Sequence, residues 1–118
     1  LPQLQGPDGS AHEVAERLAD LRHWLAPLKL VPRELQLSKR YAWTARLNNG
    51  ITLKLGRIQE RETFRLRVER FVSAYPRLAA QLSGRIESID MRYPNGLAYR
   101  IRGQAGTDNS DASRPDAV

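Results

Sequence analysis

The chain has 118 residues, a formal net charge of +6 and no cysteine. This length suits one domain, and the missing cysteine excludes a disulfide scaffold, a zinc ribbon, a thiol nucleophile and an iron–sulfur centre. No apolar run approaches the roughly 20 residues that span a bilayer, so any anchor is expected upstream of Leu1, in a longer protein from which this is a piece.

Gly6, Pro7, Asp8 and Gly9 are loop chemistry, after which Ser10 and Glu13 have the spacing of a capping box. Val14, Leu18, Leu21 and Leu25 follow on one helical face, and Pro27 is expected to stop that helix. Leu35 and Leu37 alternate within a strand over residues 34–39. Trp43, Ala45 and Leu47 alternate before the Asn48-Asn49-Gly50 turn, and Ile51, Leu53 and Leu55 after it. Parity selects a three-residue loop, which pairs Leu47 with Ile51, Ala45 with Leu53 and Trp43 with Leu55, all on one face. Gly50 takes the left-handed position of that turn.

A second helix is expected over residues 60–74, with Phe64, Val68, Phe71, Val72 and Tyr75 on one stripe. Pro76 either kinks it or starts a short continuation through Leu82. Ile89, Met91 and Tyr93 then alternate before Pro94-Asn95-Gly96, and Leu97, Tyr99 and Ile101 after it. A three-residue loop pairs Tyr93 with Leu97, Met91 with Tyr99 and Ile89 with Ile101. It puts Gly96 in the left-handed region and Asp90 opposite Arg100. The expected fold is α+β: an antiparallel-rich mixed β-sheet, two main helices packed on one face, and the last strand at an edge.

The charge is unevenly placed. Residues 1–24 and 103–118 are each net acidic, which leaves residues 25–102 at about +10, where an anionic partner would dock. Residues 103–118 hold too little apolar surface to fold and are expected to form a disordered tail. No catalytic constellation stands out. His12 and His23 lie roughly 16 Å apart on one helix, too far to share a metal. None of the seven serines sits in a nucleophile elbow, and no phosphate-binding glycine loop is present. Glu60, Glu62 and Glu69 interleave with Arg61, Arg65, Arg67 and Arg70, the pattern of a solvated, salt-bridged helix face. No enzyme activity and no cofactor are expected.

Two modes of action fit the residues. Arginines at 57, 61, 65, 67 and 70 would suit a nucleic acid or another anionic polymer, but no nucleic-acid-binding signature accompanies them, and no nucleic-acid partner is expected. Alternatively, the strand over residues 97–102, guarded by Arg100 and Arg102, is an edge able to accept a partner's strand, or is simply solvated.

Five blocks in order carry a family resemblance: Leu4-Gln5-Gly6-Pro7-Asp8-Gly9-Ser10 with Glu13-Val14; Trp43 before Leu47-Asn48-Asn49-Gly50-Ile51; Leu53-Lys54-Leu55-Gly56-Arg57; Arg70-Phe71-Val72 with Tyr75-Pro76; and Ile89-Asp90-Met91-Arg92-Tyr93-Pro94-Asn95-Gly96. Together they resemble the bacterial cell-division FtsQ (DivIB) family. The resemblance implies a periplasmic β domain over residues 1–102, held at the division septum by an inner-membrane helix and preceded by a POTRA domain, both upstream. It implies a non-catalytic divisome scaffold that binds the periplasmic ends of FtsB and FtsL and so helps regulate septal peptidoglycan synthesis, acting indirectly on the septal synthase. FtsB would add a strand along Leu97, Ala98, Tyr99, Arg100 and Ile101. Tyr93 matches the tyrosine of the family's binding hairpin and Gly96 its turn glycine, Asn95 stands where some members have Ser, and Arg92 beside them would complement an acidic partner tail. Arg40 matches an arginine that pairs with a partner acid. Ile101 stands where some members carry Trp.

Overall fold

A computed structural model describes residues 2–82 and 84–103. The chain runs β1 (Gln3–Gln5), α1 (Ala11–Leu25), β2 (Pro32–Leu37), β3 (Ala42–Leu47), β4 (Thr52–Arg57), α2 (Arg61–Leu82), β5 (Ile86–Asp90) and β6 (Ala98–Ile101). All six strands form one open sheet in sequence order. The β1–β2 and β4–β5 pairs are parallel and the other three antiparallel. Parallel neighbours need a crossover, and α1 and α2 supply the two. A strand–helix–strand–strand path is therefore traced twice and joined through the β3–β4 hairpin. This is the expected α+β class, with β6 at an edge.

Strand parity decides the layering. Leu35, Leu37, Trp43, Ala45, Leu53, Leu55, Ile89 and Tyr99 are buried. Their neighbours on the reverse face form two polar rows. One aligns Gln36, Thr44, Lys54, Asp90 and Ala98, the other Glu34, Arg46, Thr52, Ser88 and Arg100. Only the first face carries helices. The α1 side chains Val14, Leu21 and Leu25, and Phe64, Val68, Phe71 and Leu78 of α2, complete the core. Phe64 ties the layers together: its ring lies 5.3 Å from Trp43 at 84° and 6.0 Å from Trp24.

Several local expectations give way to tertiary contacts. β1 was absent from the sequence pattern because it is three exposed residues with no alternation to read. β2 starts at Pro32 and ends at Leu37, since Ser38 already belongs to the following turn. Ser10 does cap α1 by position, yet its hydroxyl donates to the Pro7 carbonyl at 2.6 Å, not to a helix amide, so no capping box forms. Helix α2 continues through Pro76 to Leu82 as one element, because the buried Phe71 and Leu78 hold both sides of the proline against the sheet.

The β3–β4 hairpin keeps its expected loop. Leu47 N donates to Ile51 O at 2.9 Å, Ala45 faces Leu53, and Gly50 has φ 91°. Trp43, however, faces Gly56 instead of Leu55, because a bulge with Gly56 at φ 84° inserts one residue. The β5–β6 register differs by two residues from expectation. Ile89 faces Tyr99, Asp90 faces Ala98 and Ser88 faces Arg100, which opens the loop to residues 91–97. The expected Asp90–Arg100 pair is not made. A shift of two preserves parity, so Ile89, Tyr99 and Ile101 stay on the core face and Asp90, Ala98 and Arg100 on the polar face, while Tyr93 leaves the strand and is exposed.

Among the described residues, one ion pair links the two helices. Asp20 of α1 accepts from Arg61 at 2.9 Å and from Arg17 at 2.7 Å, and these guanidiniums, Arg61 first, hold its carboxyl below the ordinary value. The lowered folded value means that the stabilisation exists above the unfolded pKa, about 3.9, and is lost as pH falls through the folded one. Asp20→Asn should therefore cost about 1 kcal/mol at pH 7, and the gap to the parent should close in urea titrations below about pH 4. A gap of equal size at both pH values would contradict this account.

Candidate functional site

Strand direction places the expected docking residues. The tip joining β2 to β3, the end of β4, the end of β5 and the start of β6 all lie at one end of the sheet, as the pairs Ala42–Arg57, Lys54–Asp90 and Asp90–Ala98 require. Arg40 therefore shares an end with Arg92, Tyr93 and Leu97. It does not share their edge. Strands spaced about 4.8 Å apart put its hairpin roughly 17 Å across the sheet from β6.

The hairpin that carries Arg40 is tightly built. Ser38 Oγ accepts the Arg40 amide at 3.2 Å and the Ala42 amide at 3.1 Å, while Tyr41 N donates to Ser38 O at 2.9 Å. Tyr41 adopts φ 66°, uncommon for a residue with a Cβ. Its hydroxyl donates to Glu13 of α1 at 2.5 Å, and Ile58 N donates to its carbonyl at 3.2 Å. That acceptor carboxylate and partial burial raise the Tyr41 phenol above its ordinary value. Glu13, expected to cap its own helix, instead braces the turn that exposes Lys39 and Arg40.

The loop over residues 91–97 is held from below and from the side. Met91 leaves the β6 ladder, donates its amide to Lys54 O at 2.8 Å and buries its side chain. Asp90 curls towards Arg92, accepting its amide at 3.0 Å and its Nε at 2.8 Å. Arg92 in turn lies across Gly56, where an added Cβ would stand 2.6 Å from Arg92 Cγ. Above, Arg70 of α2 donates to three loop carbonyls: Tyr93 at 2.8 Å, Gly96 at 3.0 Å and Met91 at 3.3 Å. These contacts, absent from any local pattern, stabilise the wide loop over the three-residue turn. Gly96 accordingly does not occupy the expected left-handed region and has open space where a Cβ would be.

Of the remaining expected residues, Tyr93 is exposed (45%), Asn95 is exposed and Leu97 is half-buried. Tyr99 and Ile101 turn their side chains into the core, whereas Ala98 and Arg100 lie half-exposed on the polar face. Ile101 can therefore meet a partner only through its main chain. Arg102 N donates to Arg85 O at 2.7 Å, so the alternation of an antiparallel ladder points the Ile101 main-chain groups away from β5. β6 has one sheet neighbour among the described residues.

Four arginines of α2 make three kinds of contact. Arg65 forms the expected exposed ladder with Glu62 and Glu69, but Arg67 donates to Leu55 O at 2.5 Å, and Arg70 grips the loop. Arg61 lies over the Trp24 ring at 5.2 Å while bound to Asp20. Sequence alternation alone could not distinguish a solvated arginine from one seeking carbonyls. Among the described residues no helix is long and apolar enough to cross a membrane.

Comparison with known proteins is consistent with this architecture. The family profile described as "Cell division protein FtsQ/DivIB, C-terminal" matches residues 1–92. A Cell division protein FtsQ of Burkholderia pseudomallei is 42% identical over 97% of this chain and 46% of its own length. That of Bordetella pertussis is 40% identical over 86% of this chain and 41% of its own, and that of Escherichia coli 41% identical over 83% and 35%. The chain thus spans less than half the length of these curated relatives.

Proposed function

The chain belongs to the FtsQ/DivIB cell-division family, and from that premise we propose that residues 1–102 are a non-catalytic docking domain of the divisome. Its partner is the periplasmic C-terminal part of FtsB, delivered together with FtsL. FtsB adds a strand along β6, and docking helps regulate septal peptidoglycan synthesis. The domain works in the periplasm at the septum, anchored to the inner membrane through a helix outside this chain. The observation that carries this reading is the placement of β6, an edge strand whose entry loop is pinned open by Arg70 and presents Arg92, Tyr93 and Asn95. Main-chain pairing would supply affinity, and the loop's side chains selectivity. The rival reading, a basic module for an anionic polymer, is weakened because Arg61, Arg65, Arg67 and Arg70 are engaged within the fold.

The separation between β6 and the Arg40 hairpin makes the proposal sharp. A partner that touches both must cross the end of the sheet, a path of roughly 17 Å that needs about five extended residues. Tyr93→Ala should weaken an FtsB peptide by more than about 1 kcal/mol, with or without that extension. Arg40→Glu should do so only with the longer peptide, through an acidic residue beyond the added strand. Calorimetric titration of both peptides decides the matter. Unchanged affinity for both variants would remove the docking site from this end of the sheet.

A further inference from the structure

We propose that Asn95–Gly96 is a site of spontaneous covalent modification, at which the docking loop slowly acquires a negative charge. The chain holds two Asn–Gly steps in hairpin loops, Asn49–Gly50 and Asn95–Gly96. Glycine after asparagine favours the reaction, since no side chain shields its amide nitrogen. The Gly96 nitrogen attacks Asn95 Cγ, forming a carbon–nitrogen bond. The bond from Cγ to Nδ2 breaks, and ammonia leaves with the amide proton. Water then opens the cyclic imide at either carbonyl, yielding aspartate or isoaspartate. The net change converts amide and water into carboxylic acid and ammonia, and the acid ionises at neutral pH.

The two sites differ in what the reaction must first break. Asn49 Nδ2 donates to the Tyr75 hydroxyl at 3.0 Å, and its Oδ1 accepts the Ile51 amide at 3.1 Å. Gly50 N, the would-be nucleophile, donates to Leu47 O at 3.0 Å. All three contacts oppose ring closure. At the second site both residues are exposed, and no hydrogen bond among the described residues holds the Asn95 side chain or the Gly96 amide. A Cβ added at Gly96 would meet no heavy atom within 4 Å beyond its own chain neighbours, so no packing confines the step. Arg70 fixes only the Gly96 carbonyl, which leaves the nucleophile and its target unrestrained.

The product changes this end of the sheet. A carboxylate at position 95 adds a negative charge to the loop of Arg92, where docking of an acidic segment, if the reading above holds, favours a positive one. Isoaspartate also inserts a methylene into the main chain, which displaces the carbonyl that Arg70 grips. Ageing of the chain would thus weaken docking.

The test is to incubate the folded chain at mildly alkaline pH and map acid formation at both asparagines by peptide mass spectrometry and enzymatic isoaspartate methylation. Conversion at Asn95 should outpace that at Asn49 by about tenfold or more, because three hydrogen bonds protect the latter site. In urea the two rates should converge. Comparable rates in the folded chain, or a gap that persists in urea, would overturn the proposal. Asn95→Asp should weaken the FtsB peptide; failure of that peptide to bind the unmodified chain would count against docking and leave the mapping result standing.

Discussion

Trp43→Ala is expected to cost the domain about 4 kcal/mol, a large part of the roughly 5–15 kcal/mol that holds a domain folded. The indole is 1% exposed at the centre of the sheet. Its removal leaves a cavity beneath α2 and abolishes the edge-to-face contact with Phe64 at 5.3 Å. It also strands the Ile58 carbonyl, which now accepts the indole N–H at 2.9 Å within the buried interior. Trp43→Phe separates the two effects: the ring still fills most of the space, but the orphaned carbonyl alone should cost about 1–3 kcal/mol. Equilibrium unfolding in urea measures both. A loss below about 2 kcal/mol for alanine would mean that the helices can settle into the cavity, against the packing described above. The folded fraction of Trp43→Phe should still bind the FtsB peptide, since β6 is remote from the indole in the strand order.

Arg70→Ala should affect binding more than stability. Two of the three carbonyls that the guanidinium satisfies, those of Tyr93 and Gly96, are exposed and water can replace it there, so the loss in unfolding free energy should be about 1–2 kcal/mol. The released loop, in contrast, must be ordered again whenever a partner docks, at about 1–2 kcal/mol for each residue fixed. Even one or two such residues weaken binding about tenfold or more. Hydrogen exchange should report the cause, with faster exchange confined to residues 91–97 and the β4–β5 ladder unchanged. Arg70→Lys keeps the charge without the planar fork, so it can reach fewer of the three carbonyls and should restore binding only in part. Wild-type affinity in Arg70→Ala, with the loop amides exchanging faster, would show that docking does not use the preset loop.

Arg70 also marks where sequence reading stops. It sits in the same run of alternating acids and arginines as Arg65 but has no acid three or four positions away, so the sequence gives it no partner on its own helix and does not say which distant group it meets. Arg65 pairs with Glu62 and Glu69 of its own helix, a contact legible from i, i+3 and i, i+4 spacing. Arg70 pairs with carbonyls some 21 to 26 positions later in the chain, which only packing of α2 over the β5–β6 loop brings near. Glu13 behaves the same way: its spacing from Ser10 spells a capping box, but the nearer offer comes from Tyr41. The sequence pattern thus anticipates β6 as an edge strand, whereas the two side chains that shape the nearby end of the sheet, Arg70 and Glu13, carry the local signature of a helix surface and a cap.

By itself the sequence determined the α+β class, the two helices, the β3–β4 turn at Gly50 and the core face of the alternating apolar residues in β2, β3, β4 and β6. Those follow from periodicity and parity, which are properties of neighbouring residues and survive a register shift of two. Tertiary structure alone decided the short strand β1, the bulge at Gly56, the seven-residue loop before β6 and the destinations of Arg67 and Arg70. Each of these depends on which polar group finds a partner once distant segments are packed. The +6 charge with which the chain is first met is divided accordingly. Much of it on α2 is engaged in holding the fold together, and Arg92 of the β5–β6 loop is paired with Asp90, whereas the exposed Lys39 and Arg40 at the β2–β3 tip remain available to a partner.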